Sequence, residues 1–227
     1  MNKCLLLITT AIFCSVSSFL EGTVSDITTQ RVITDYIKID KTKKAAPAQK
    51  RYIITGGPGV GKTTIIKHLE GQGEAVIHEA ATDVIKRELE NGVSEPWSKV
   101  WFQEKVIALQ EERQLQAASK ENGSVYFDRS PIDTMTYCFI WQNEPKTELM
   151  AVQKLVDEGF YQETVFLIEN LGFCQQNDVR TESLQQSLFI HEKIKESYEG
   201  LGFRVISIPF ASVEDRVEMI RSCLSER

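Results

Sequence analysis

Residues 56–64 read Gly-Gly-Pro-Gly-Val-Gly-Lys-Thr-Thr, directly after the apolar run Arg51–Thr55 (RYIIT) and directly before residues with helical spacing. The stretch fits G-x-x-x-x-G-K-[ST], the Walker A phosphate loop, at every defined position. The glycines let the backbone curl so that its N–H groups point inward, and the next helix presents its positive end to the same point. Lys62 adds a mobile charge for the terminal phosphates, and the Thr63 hydroxyl is a ligand type suited to Mg²⁺. Gly56, Gly57, Pro58, Gly59, Val60, Gly61, Lys62, Thr63 and Thr64 are therefore the expected nucleotide-binding residues, with Lys62 also catalytic. No N-K-x-D motif specifies guanine, so ATP is the expected nucleotide, with GTP as the alternative.

From residue 51 onward strands and helices alternate. Strands are expected at 51–55, 74–78, 124–128, 163–169 and 203–208, and helices at 62–70, 79–91, 131–143, 147–158, 182–200 and 211–225. A longer helix is expected from Pro96, because Trp97, Val100, Trp101, Val106 and Ile107 recur at helical spacing. Strands separated by helices imply an α/β fold with a parallel sheet covered on both faces. Chemistry is then expected at the carboxyl ends of the strands.

Those ends carry the remaining candidates. Asp128 and Arg129 close the third strand, where the carboxylate suits the metal shell and the guanidinium suits a transferring phosphoryl. The other reading makes Asp128 a cap for the helix that opens at Pro131. Glu79 follows the second strand, as a general base for an acceptor hydroxyl or as a helix N-terminal acid. Arg180 lies in a polar loop after the fourth strand, as a lid arginine or a surface one. The catalytic set is Lys62, Glu79, Asp128, Arg129 and Arg180, with Thr63 and Asp128 as the Mg²⁺ ligands.

Before residue 51 the chain is different. Residues 1–20 have a basic start, the apolar run Cys4–Phe13 and then serines, the order of a secretory signal peptide. Residues 21–50 are polar and read as a linker, leaving 51–227 as the nucleotide-binding domain. The leader suggests export, whereas nucleotide use suggests a cytosolic site of action. The first fifty residues hold seven Lys/Arg and four acids, so 19 basic and 28 acidic residues remain after them. That balance speaks against nucleic acid as a partner. Cys4, Cys14, Cys138, Cys174 and Cys223 form no C-x-x-C pair, which argues against a zinc site or a disulfide framework. The run 4–13 is shorter than the ~20 apolar residues of a membrane span.

Four stretches carry a resemblance to a known family. They are Ile53–Thr64, Glu79-Ala-Ala, Phe127–Tyr137 (FDRSPIDTMTY), and Asp178-Val-Arg180 with Tyr198–Pro209 and Val213-Glu-Asp-Arg216. Together they resemble the nucleoside/nucleotide-kinase-like P-loop proteins. Within these the chain is most similar to the AAA-type ATPase domain of NadR-type nicotinamide riboside kinases and of related GTP-binding proteins. The resemblance implies a five-stranded parallel sheet in the order 2-3-1-4-5. It implies pocket roles for Asp128, Arg129 and Asp133, strengthens Glu79, and places the segment from Pro209 to Val213, with Ala211, near the nucleotide base. Such domains often carry an arginine shortly after the strand-two glutamate, whereas Ala81 and Thr82 stand here. The expected function is Mg²⁺-dependent phosphoryl transfer to a nucleoside-like acceptor. The alternative is a nucleotide-dependent switch that contacts lipid or protein.

Overall fold

A computed structural model describes residues 36–39, 49–118, 123–141, 145–170 and 184–225. The strands are β1 (Lys50–Thr55), β2 (Ala75–Ile77), β3 (Ser124–Asp128), β4 (Thr164–Ile168) and β5 (Arg204–Ile208). All pairs are parallel, in the order β2-β3-β1-β4-β5 that the resemblance implies. Ile53 lies beside Phe127 and Val165, while Ile54 lies beside Asp128 and Phe166. The register therefore brings the carboxyl end of β3 against the start of the phosphate loop.

Both faces of this sheet are covered, which is why its strands are continuously apolar rather than alternating. On one face Ile53, Phe127, Val165 and Leu167 pack under α4 (Pro131–Ile140), α5 (Lys146–Asp157) and α6 (Leu184–Gly200). On the other Ile54, Tyr126, Phe166 and Ile168 pack under α1 (Lys62–Gly71) and α7 (Val213–Ser225). A third apolar cluster joins Ala80, Val84 and Ile85 of α2 (Ala80–Glu90) to Phe102 and Val106 of α3 (Phe102–Ala118). This pair overhangs the carboxyl end of the sheet on the β2 side. No described helix is long and apolar enough to cross a membrane.

The helix expected to run on from Pro96 is broken. Pro96–Ser98 form one 3-10 turn, Lys99 is extended at φ −85° and ψ 140°, and α3 starts only at Phe102. Trp97 and Trp101 pack against the third cluster, but Val100 is 99% exposed. The helical spacing of these apolar residues arises from two short segments meeting one cluster, not from one continuous helix.

Part of the expected linker is seated on the domain. Ile37 is 3% exposed and belongs to the core under α5. The Lys38 amide donates to Gln153 Oε1 at 2.8 Å, and Gln153 Nε2 donates back to the Lys38 carbonyl at 2.9 Å. One glutamine thus holds both polar groups of an extended residue while its neighbour fills the core. Sequence reading missed this by taking 21–50 as a polar linker, although Val32, Ile33, Tyr36 and Ile37 recur at helical spacing within it. Ile37→Ala is expected to lower unfolding free energy by about 2–5 kcal/mol, as for other buried isoleucines. Urea denaturation checks it, and an unchanged midpoint would show that the segment does not contribute to the core.

Candidate functional site

The phosphate loop is shaped by glycine and held from outside. Gly56 has φ +136°, and a Cβ there would lie 2.7 Å from the Ile168 carbonyl oxygen, so only glycine fits. Gly61 enters α1 at φ +90°, and its carbonyl accepts from Thr64 N and Ile65 N. Lys62 Nζ donates to the carbonyls of Gly56 at 3.0 Å and Gly57 at 2.7 Å. Thr63 and Thr64 are exposed at the head of α1. Behind the loop, the buried Arg216 of α7 donates to the carbonyls of Val60 (3.0 Å), Pro209 (3.1 Å) and Glu169 (3.2 Å). Burial lowers its pKa. Arg216 thereby ties the loop to the ends of β4 and β5, a role its place in a sequence motif did not reveal.

Opposite Lys62 stands a cluster built on Arg129. Its φ is +70°, a left-handed conformation costly for a residue with a Cβ. That backbone lets the Arg129 amide donate to the Ile54 carbonyl (3.1 Å) while the side chain turns into the cleft. There Nε donates to Glu79 Oε1 at 2.9 Å and Nη1 to Asp133 Oδ1 at 3.2 Å, with the guanidinium 5.4 Å from the Tyr137 ring centre. Burial alone would lower the pKa of Arg129, but the fields of Tyr137, Glu79, Asp133 and Asp128 outweigh it and the net shift is upward. Glu79 occupies the cap position of α2 without capping it. Its second oxygen instead accepts from Thr82 Oγ1 at 3.0 Å.

Asp133 lines the cleft, in line with the pocket place the resemblance implies, but its oxygens are taken up by the protein itself. It is 1% exposed. It accepts from Thr55, Arg129, the Ser130 amide and the Tyr198 hydroxyl, and closes a capping box with Ser130 at the start of α4. With four donors on two oxygens it has no lone pair left for a ligand. It is the post that orients Arg129.

Asp128 is 4% exposed, and its Oδ1 has no hydrogen-bond partner among the described residues. A buried orphan carboxylate oxygen is costly unless a ligand completes it. The helix-capping reading of Asp128 falls away, because Ser130 is the cap. Burial, with the like charge of Glu79, pushes the Asp128 carboxyl up to about 6. Burial and the Arg129 charge push the Lys62 ammonium down to about 7. Burial thus makes each charged form less favourable than it would be in water. For Asp128 the folded pKa lies above the unfolded one, so its favourable contribution is complete at low pH and is lost as pH rises through about 6. Asp128→Asn is therefore expected to raise the thermal midpoint of the nucleotide-free protein at about pH 8, with the gain shrinking by about half near pH 5 and vanishing only below about pH 4. Parallel melts at both pH values decide it; destabilisation at both would mean the carboxylate is internally satisfied.

The cleft between these groups has a volume of about 210 Å³. Lys62, Thr63, Thr64, Glu79 and Arg129 all line it, together with Pro58, Gly59 and Gly61. Its far wall is apolar and aromatic, made by Phe102, Val106, Tyr137 and Trp141. Tyr137 and Trp141 stack with ring centres 5.0 Å apart and planes 23° apart. Sequence reasoning did not assign this wall, since aromatic residues at helical spacing are ordinarily core. Ala81 and Thr82 line the cleft where a family arginine was expected. Pro209 and Ala211 lie on the other side of the loop, beyond Arg216, with Phe210 between them 60% exposed. Arg180 lies outside the described residues, as do the signal-like segment and most of the expected linker. No group of three or more potential metal ligands exists among the described residues, and Cys138 and Cys223 are free thiols.

The model of a family described as AAA domain matches residues 51–216, which span β1 through the loop-clamping Arg216. The chain belongs to this AAA domain family. No curated protein matches it significantly. Among solved structures, the AAA domain is similar to a NadR protein in complex with NR, at TM-score 0.56 and 17% identity over 78% of this chain and 51% of that one. The chain therefore spans about half the length of NadR. It is also similar to deoxyadenosine kinase from M. mycoides with dCMP and dCDP bound (TM-score 0.51, 15% identity, 78% of this chain and 100% of that one). A third similarity is to thymidylate kinase from Ehrlichia chaffeensis (TM-score 0.54, 13% identity, 78% and 98%). At these identities the likeness is one of fold, and the fold of the AAA domain is that of P-loop nucleotide-kinase-like proteins.

Proposed function

We propose that this AAA domain is a small-molecule kinase that uses ATP (or GTP) with Mg²⁺ to phosphorylate a nucleoside-like acceptor. The observation that carries the reading is the placement of Lys62, Thr63, Arg129 and Glu79 around one cleft whose far wall is aromatic. A phosphate loop alone serves any nucleotide-binding protein. A carboxylate and an arginine across from it, beside a wall that can take a flat ring, suit transfer to an organic acceptor.

The loop amides and Lys62 would hold the polyphosphate. Lys62 would exchange the carbonyls of Gly56 and Gly57 for phosphate oxygens, which restores the ammonium that burial disfavours. Thr63 and the orphaned oxygen of Asp128 are hard donors that fit Mg²⁺. The ion would neutralise phosphate charge. Arg129, fixed by Glu79 and Asp133, would meet charge developing on the transferred group without reorganising. Glu79 would orient the acceptor hydroxyl and accept its proton. The bound ligands of the neighbouring kinases, dCMP and dCDP in one and NR in another, support a ring-bearing acceptor.

The switch reading has one observation in its favour. Both Glu79 oxygens are already engaged, by Arg129 and Thr82, and no arginine follows at position 81 or 82. ADP release measured against a panel of nucleosides and nucleoside monophosphates separates the two. Acceptor-stimulated release is expected, and slow hydrolysis indifferent to every acceptor would replace the kinase with the switch.

A further inference from the structure

The phosphate loop is gripped a second time, from α6. Gly57 N donates to His191 Nδ1 at 3.2 Å, and Ser187 Oγ donates to the Pro58 carbonyl at 3.0 Å. Contact is tight: a Cβ on Gly57 would lie 2.9 Å from the Ser187 carbonyl oxygen and 3.1 Å from His191 Cβ. His191 is 6% exposed. Because its Nδ1 accepts from an amide, the ring proton must sit on Nε2, which faces Glu169 Oε2 at 3.3 Å. Glu169 is also tied by its carbonyl to Arg216, the other clamp on the loop.

We propose that His191 is a positioning residue of the nucleotide site, its neutral ring holding the Gly57 peptide so that the loop is shaped to receive a polyphosphate. The inference rests on the nucleotide-binding reading above. A ring without the acceptor would release the Gly57 amide. A second ring proton would do the same, by setting one N–H against another. The charged groups around the ring are Glu169 at the end of β4, Lys62 of α1, and Glu192 and Lys195 on α6 itself. Burial favours the neutral ring, and Lys62 and Lys195 add to that, against the opposing pull of Glu169 and Glu192. Of these, Lys62 shares the site that receives phosphate, so the ring and the ammonium report on one another.

The test is ADP binding by calorimetry, with Mg²⁺ chelated so that Asp128 has no metal to hold, from about pH 8 to about pH 4.5, because burial holds the ring below the usual histidine range. Falling pH charges Lys62 and neutralises Asp128, and both changes favour phosphate. The terminal phosphate of ADP itself takes up a proton at about pH 6 and weakens binding in every variant, so the acid loss that belongs to the ring is the part that His191→Asn lacks. The parent is expected to show that loss. His191→Asn puts an amide oxygen near the Nδ1 position and has no proton to gain. It should bind within about threefold of the parent at pH 8 and show a smaller acid loss, the part that belongs to ADP alone. His191→Leu should bind about 3–10-fold more weakly throughout, the worth of one hydrogen bond. Equal affinity of His191→Leu and parent would overturn the proposal, as would an identical acid loss in His191→Asn, which remains informative if the leucine variant fails to fold. A parent that binds no ADP at any pH would overturn the nucleotide-binding reading itself.

Discussion

Lys62→Ala is expected to weaken binding of a nucleoside triphosphate by about 10²–10⁴-fold and to leave the fold intact. The magnitude follows from the loss of two charge-assisted hydrogen bonds, each worth about 1.5–3 kcal/mol. The fold should survive because the ammonium is itself a burden on the empty site. Lys62 is 7% exposed, and burial with the nearby Arg129 charge holds its pKa down to about 7. Alanine removes that burden, at the cost of one donor to the buried carbonyls of Gly56 and Gly57. Binding of a nucleoside monophosphate should suffer far less, since Lys62 serves the terminal phosphates. Calorimetric titration with triphosphate and monophosphate in parent and variant gives both numbers. Equal triphosphate affinity would remove the loop as the nucleotide site.

Glu79→Gln should cut acceptor-stimulated transfer by about 10²–10⁴-fold, the usual worth of a general base. Nucleotide affinity should hardly change, because the loop backbone and Lys62 hold the phosphates. Glutamine keeps an oxygen to accept from Arg129 or Thr82, so the cluster survives with one charge fewer. That loss of charge leaves Arg129 buried against Asp133 and Asp128 alone, and glutamine cannot take a proton. A carboxylate has about four lone-pair sites, and Arg129 and Thr82 occupy two of them. An acceptor hydroxyl can therefore reach Glu79 without displacing either. Comparison of ADP release at saturating nucleotide, with and without acceptor, is decisive. Equal rates in parent and variant would take Glu79 out of the mechanism.

These two variants also separate the residues that were legible in the chain from those that were not. Lys62 and its glycines are local: the motif, the strand before it and the helix after it lie within about twenty consecutive residues, and backbone geometry does the rest. Gly56 is a partial exception: its φ of +136° alone calls for glycine, but the 2.7 Å approach of the Ile168 oxygen to a Cβ is a tertiary constraint. The strand order was legible as well, through the family motifs. It brings Asp128 beside Ile54, and so puts the end of β3 at the loop.

Asp133 and Glu79 are the contrasting cases. Both are acids of the expected pocket, Glu79 by its place after the second strand and Asp133 by the family resemblance alone. Tertiary packing separates them. Tyr198 of α6 and Thr55 of β1 converge on Asp133 and fill it, while Glu79, at the less crowded edge by β2, keeps capacity for a ligand. Distances between elements remote in sequence decide such outcomes, and no local pattern encodes them. The same holds for the contacts of Lys38 with Gln153, His191 with Gly57 and Arg216 with Val60, each of which spans more than a hundred residues. It holds too for the aromatic wall of Tyr137, Trp141 and Phe102, drawn from two helices. By itself the sequence determined the phosphate loop, the alternation of strands and helices, and the acids and arginine at the strand ends, because each depends on neighbouring residues or on a short recurring motif. Only the tertiary structure decided which acid is left free to act and what grips the loop from behind, because both depend on which side chains the packed helices bring to the carboxyl edge of the sheet.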